Sequence, residues 1–122
     1  EVAVVFGLRG DLDVEAEVLV THLHGEALLA ELPLTARTPH TITDPDALRA
    51  NLDAARAAGW VEQSEQNDIG MNAVGVPVLR PDGTVIAALA IAAPVFRADL
   101  ESLRQHVSTL QATADRLGTL LP

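Results

Sequence analysis

GWVEQSEQNDIGMNAVGVPVLRPDGTVIAALAIAA, residues 59–93, is the stretch that decides the fold. It reads strand, acidic loop, strand, tight turn, strand. Arg80-Pro81-Asp82-Gly83 carries the turn, because proline presets one dihedral and Asp-Gly supplies a tight reversal. Both flanks are β-rich and alternate with period two, so a hairpin is expected. A four-residue loop pairs Leu79 with Thr84, and a two-residue Asp82-Gly83 loop pairs Pro81 with Thr84. Either register sorts the side chains identically, since successive residues point to opposite faces. Val74, Val76, Val78, Val85, Ala87, Leu89 and Ile91 share one face. Met71, Ala73, Gly75, Ala88, Ala90 and Ala92 share the other.

The bulky face has the composition of a core. The face of alanine and glycine leaves room, which either a small molecule or a closely packed helix can fill.

The same residues, taken together, resemble the signature region of the effector-binding domain of IclR-type transcriptional regulators. The likeness rests on the Gly-aromatic opening Gly59-Trp60, the acidic loop ending in Gly70, the pair Pro77-Val78 and the Asp82-Gly83 turn. It continues upstream through TARTPHTITDPDALRANLDAARAAG and includes the helix-like HGEALLAELP. The resemblance implies an α+β, GAF-like fold: an antiparallel sheet flanked by helices, as a single domain over residues 1–122. It also implies a small-molecule effector, often an organic acid, and a winged helix-turn-helix domain that this chain does not contain.

Carried over by position, the family's acidic residue after the Gly-aromatic opening falls on Gln63. Its cysteine or other small residue falls on Ala73, its Ser-x-Ser pair on Ala90 and Ala92, and an apolar contact on Met71. Backbone amides before the first helix fall on Leu23 and His24, where this chain is shorter than the family, as it is between Leu34 and Thr38. All but Gln63 of the sheet positions lie on the small-residue face. Hydrogen bonds to a charged group contribute roughly 1.5–3 kcal/mol each, and burying an unpaired charge is costly. With alanine at three polar positions, the expected effector is less polar or larger than the family's small acids. A degenerate module that only dimerises, and a small enzyme, are the alternatives.

At 122 residues with 48% hydrophobic composition, the chain is globular and long enough to bury a core. No apolar run reaches the ~20 residues needed to span a bilayer, and no targeting signal is visible. The absence of cysteine excludes disulfides and thiolate chemistry and points to the cytoplasm. A net charge of −9, with every basic residue an arginine and none clustered, argues against direct nucleic-acid binding. The expected partners are therefore a small molecule, a second copy of the chain in a homodimer or tetramer, and DNA only through the other domain.

Along the chain, EVAVVF and VEAEVLVTH read as strands and LHGEALLAEL as a short helix. That helix's free N–H groups would favour an anion. His22 and His24 lack a third ligand nearby, so no metal is expected, and His40 and His106 look equally ordinary. Pro39 biases Thr38 toward extended backbone. Asp44 or Thr43 caps a helix with Pro45 in its first position, Leu48, Leu52 and Ala55 on one face, and Gly59 as its stop. Trp60 reads as a core anchor. Glu65-Gln66-Asn67-Asp68 lacks the spacing of a calcium loop. A final helix is expected from about Asp99 to Leu117, with Leu100, Leu103, Val107, Leu110, Ala114 and Leu117 in a stripe that packs on the sheet or serves a dimer seam. No cofactor fingerprint or nucleophile motif is present. Carboxylate pairs such as Glu62 and Glu65 are expected by chance in this composition, and a His–Glu arrangement assembled in space is the catalytic alternative left open.

Overall fold

The computed structural model describes residues 36, 38–66 and 69–121. The expected strands EVAVVF and VEAEVLVTH, the helix LHGEALLAEL and the residues Leu23 and His24 lie outside that range.

The first helix, α1 (Pro45–Ala58), forms where its capping residues dictate. Asp44 accepts the Ala47 N–H in its side chain at 3.2 Å, and Pro45 occupies the first turn, where no N–H is needed. Gly59 ends the helix at φ +84°, a conformation open to glycine. Leu48, Leu52 and Ala55 are buried, as their spacing requires.

Three antiparallel strands follow in the order β1 (Val61–Ser64), β2 (Met71–Leu79) and β3 (Val85–Pro94). The hairpin departs from both expected loops. Arg80 C=O accepts from Gly83 N–H at 2.8 Å, and Arg80 N–H donates to Thr84 C=O at 2.9 Å. The loop is therefore Pro81-Asp82-Gly83, with Gly83 at φ +89° and the Asp82 carboxylate taking the Thr84 N–H. A turn followed by a left-handed residue places a bulge at the strand end. Leu79 pairs with Val85 while Val78 pairs with Ala87, so one residue of β3 goes unpaired. That residue, Ile86, packs with the core. Beyond the bulge the register is the one that Pro81 opposite Thr84 would set, and the two faces separate as the alternation predicts. Before it, Val85 pairs with Leu79 on the small-residue side and not on the bulky face expected of it.

Val74, Val76 and Val78 are almost completely buried. Removing a valine side chain from water contributes on the order of 1.5 kcal/mol. They pack against Leu103, Val107, Leu110 and Ala114, with Trp60, Leu89 and Ile91 at the margin. Trp60 is thus a core anchor.

Those helical residues belong to two helices and not one: α2 (Leu100–Arg104) and α3 (Val107–Leu120). Asp99 caps α2 by accepting the Ser102 N–H at 2.8 Å. Gln105 and His106 then interrupt the run, and His106 adopts φ −95°, ψ −3° at the start of α3. The apolar stripe stays in phase across the break, so one face still meets the sheet. Near its end α3 comes unusually close to β2: a Cβ at Gly118 would lie 1.9 Å from the Leu79 carbonyl oxygen. Only glycine permits that approach. No helix among the described residues is long and apolar enough to cross a membrane.

Candidate functional site

The face of the sheet turned away from α2 and α3 carries the residues of interest in two cross-strand rows. Gln63 pairs with Ala73, and Ala73 with Ala92; alongside them, Val61 pairs with Gly75, and Gly75 with Ala90. Directly opposed side chains in an antiparallel sheet lie about 4.5–5.5 Å apart at Cβ. Three strands therefore deliver Gln63, Ala73, Ala90 and Ala92 to one compact area. Met71 stands two residues from Ala73 on the same side and pairs with Pro94.

Gln63 is buried at 5% exposure. Ala73, Ala90 and Met71 are half-buried, whereas Ala92 is exposed. α1 reaches one side of this face, where Ala55 and Val61 form a small apolar cluster in contact with Ala73, Ala88 and Ala90. At that margin the small side chains admit a helix. A groove runs between α1 and β1, lined by Asn51, Ala54, Ala58, Trp60 and Glu62 together with Ala55 and Val61 of that cluster. Of the expected effector residues that are described, Gln63, Met71, Ala73, Ala90 and Ala92, none lines it.

The end of β1 beside Gln63 is fixed by several bonds. Glu65 N–H donates to Met71 C=O at 2.8 Å, and the Glu65 carboxylate accepts the Gly70 N–H at 2.9 Å. Glu65 itself has φ +54°, in the left-handed region that side chains disfavour. Thr38 and Thr41 donate their hydroxyls to the carbonyls of Glu65 and Gln66. Glu65 and Gln66 are therefore held by a turn 25 or more residues upstream, which their local sequence does not reveal. The visible signal is the pair of threonines three apart in Thr-Pro-His-Thr.

The carboxylate pair considered for catalysis is spoken for. Glu62 receives both Arg104 Nε (2.7 Å) and a terminal guanidinium nitrogen (2.8 Å), which ties β1 to α2 and holds the Arg104 pKa above its usual value. Glu65 holds Gly70 and lies 3.8 Å from His40 Nε2. Ser64 Oγ donates to Asn72 Oδ1 at 2.8 Å, and buried Asn72 donates onward to Ala98 C=O at 3.1 Å. Among the described residues no group of three His, Cys, Asp or Glu could hold a metal.

Residues 18–119 match the family model described as bacterial transcriptional regulator IclR C-terminal. The chain belongs to that family. Its fold and the resemblance carried by Gly59–Ala93 are thereby established, and the family is regulatory and not catalytic. Curated IclR-family relatives include the probable transcriptional regulator SauR of Cupriavidus necator, 37% identical over 75% of this chain and 36% of its own length. The Pca operon regulatory protein of Acinetobacter baylyi is 32% identical over 86% of this chain and 39% of its own. This chain spans roughly a third of the length of such relatives. Among solved structures, the inducer-binding domain of the PobR transcription factor from Acinetobacter, a double mutant in complex with 3-hydroxybenzoic acid, superposes with a TM-score of 0.84. It is 29% identical, covering 92% of this chain and 68% of that one. The C-terminal domain of Escherichia coli KdgR gives a TM-score of 0.78 at 28% identity, over 89% of this chain and 68% of that one.

Proposed function

We propose that this IclR C-terminal domain senses a small molecule on its Gln63–Ala73–Ala92 face and passes the state to DNA through a separate winged helix-turn-helix domain. In this reading residues 1–122 form the sensory unit of a longer cytoplasmic regulator that works as a homodimer or tetramer. The supporting observation is the convergence of Gln63, Ala73, Ala90 and Ala92 from three strands on the face that α2 and α3 leave uncovered. Met71 borders it, and Leu23 and His24 are proposed as its backbone donors. The acidity of the chain fits a division of labour in which it does not itself meet phosphate.

The same side chains define the ligand class. Methyl groups at positions 73, 90 and 92 offer dispersion contacts and no hydrogen bonds, so a small carboxylate would find little compensation for losing water. A flat, largely apolar or aromatic effector suits the face better, its ring on the methyl groups and any acid group left to Gln63 and the proposed Leu23 and His24 amides. PobR, solved with an aromatic acid bound, has the same fold.

Thermal shift with 3-hydroxybenzoate and related aromatic compounds, set against pyruvate-sized acids, tests this. A ligand at 100 times its Kd adds about 2.7 kcal/mol of stability. Aromatic compounds are expected to raise Tm, and Ala90→Leu to abolish that rise by filling the space, with strain of no more than ~1–3 kcal/mol in the free protein. Submillimolar affinity for the small acids with aromatic compounds inert would remove the proposal. The contact of Ala55 and Val61 with Ala73, Ala88 and Ala90 favours one second reading, an interaction module without ligand. A broad metabolite screen with no shift would support it.

A further inference from the structure

The corner where β1 gives way to β2 carries two residues of the proposed effector face, Gln63 and Met71, and it is held from outside the sheet. Thr38 is 7% exposed, one of only three buried polar residues among those described; Gln63 is another. The Thr38 hydroxyl accepts the His40 N–H at 3.0 Å and donates to the Glu65 carbonyl oxygen. The Thr41 hydroxyl accepts the Thr38 N–H at 3.0 Å and donates to the Gln66 carbonyl oxygen. A Thr-Pro-His-Thr turn thus presents two hydroxyls, each aligned by an N–H of the turn itself, to two consecutive carbonyls just beyond β1.

Glu65 lies two residues after Gln63, and its own N–H bonds the Met71 carbonyl at 2.8 Å. Its left-handed backbone is sparsely populated by residues with side chains and persists where the surroundings over-determine it. Here the surroundings are identifiable: the Thr38 hydroxyl on its carbonyl, the Met71 carbonyl on its N–H and the Gly70 N–H on its carboxylate. A strand end held in this way fixes the direction of the side chain two residues before it.

We infer that Thr38, with Thr41, is a positioning residue for the effector site, setting Gln63 through the backbone of Glu65. The inference rests on the proposed assignment of Gln63 to that site. It gives the turn preceding α1 a role in ligand discrimination, although neither threonine lies on the small-residue face.

The test compares Thr38→Val, which keeps the shape and removes the hydroxyl, with Thr38→Ser, which restores it. In the ligand-free protein, NMR should show the Gln63 side-chain amide resonances displaced by Thr38→Val and Glu65 N–H exchange accelerated at least tenfold, with both returned by Thr38→Ser. With 3-hydroxybenzoate as probe, Thr38→Val should weaken binding about tenfold in the parent and have no further effect in Gln63→Ala. Unchanged Gln63 resonances, failure of serine to restore them, or a full loss of affinity in the Gln63→Ala background would each overturn the inference. If the parent protein binds neither this probe nor any other aromatic acid, the effector reading fails. The amide measurements still decide the positioning role.

Discussion

Replacing Gly118 by alanine tests the packing that holds the sheet's covered face. Alanine is the better helix former, by about 1 kcal/mol, so an isolated helix would gain from the change. In the folded protein the added Cβ falls 1.9 Å from the Leu79 carbonyl oxygen and 3.0 Å from its carbonyl carbon. An ordinary contact begins near 3.4 Å, so α3 or the end of β2 must retreat by about 1.5 Å. The obstacle is backbone and cannot swing aside. Overpacking of this kind costs about 1–3 kcal/mol, and a backbone obstacle argues for the upper end. After the propensity gain, a net loss of about 1–2 kcal/mol remains. That corresponds to a fall in Tm of about 4–8 °C for a domain of this size. Circular dichroism melts and urea midpoints measure it, with Ala112→Gly on the exposed side of α3 as the control for propensity alone. A Gly118→Ala protein as stable as the parent, or more so, would refute the close approach of α3 to Leu79.

Asp44→Ala should cost about 1 kcal/mol in urea unfolding, because it removes the acceptor of the Ala47 N–H at the start of α1; Asp44→Asn should cost much less. The Asp99 carboxyl is held below its ordinary pKa, first by the Ser102 backbone N–H and then by the Ser102 side chain. A lowered folded pKa means that its contribution is complete above the ordinary aspartate value of about 3.9 and is lost as pH falls through the folded one. The urea midpoint of the parent should therefore fall below pH 4 more steeply than that of Asp99→Asn, whose cap does not titrate. Parallel curves would show that the cap carries no pH dependence.

The two faces of the hairpin could be read in advance because the two- and four-residue loops give the same sorting, and the bulge at Ile86 cancels the one-residue slip of the three-residue loop that forms. The loop itself could not: whether Pro81-Asp82-Gly83 closes with two, three or four residues depends on a bulge at Leu79 and Val85, and the residues alone permit each. The break at Gln105–His106 was hidden for a related reason. Leu103, Val107 and Leu110 keep helical spacing across it, so the pattern that identifies a helix is blind to a local interruption that preserves phase. The ends of α1 were legible because capping is local: Asp44, Pro45 and Gly59 act within one turn of their own positions. The hold of Thr38 and Thr41 on Glu65 and Gln66 joins residues 25 or more apart, as the Glu62–Arg104 pair joins residues 42 apart. Contacts at that distance follow only from the finished fold. At the candidate site, the neighbours Ala73 and Ala92 were legible from alternation joined to the family resemblance, whereas Gln63 was read as lying off that face and is brought onto it by the β1–β2 register. The cluster of Ala55 and Val61 at its margin was not.

Chemical-shift mapping during titration with 3-hydroxybenzoate and, separately, pyruvate addresses the sensing face most directly. Binding of the aromatic acid should perturb Gln63, Met71, Ala73, Ala90 and Ala92 together, leave Val74, Val76 and Val78 nearly unmoved, and have no counterpart with pyruvate. Perturbations confined to the groove between α1 and β1, or the same response to pyruvate alone, would contradict it.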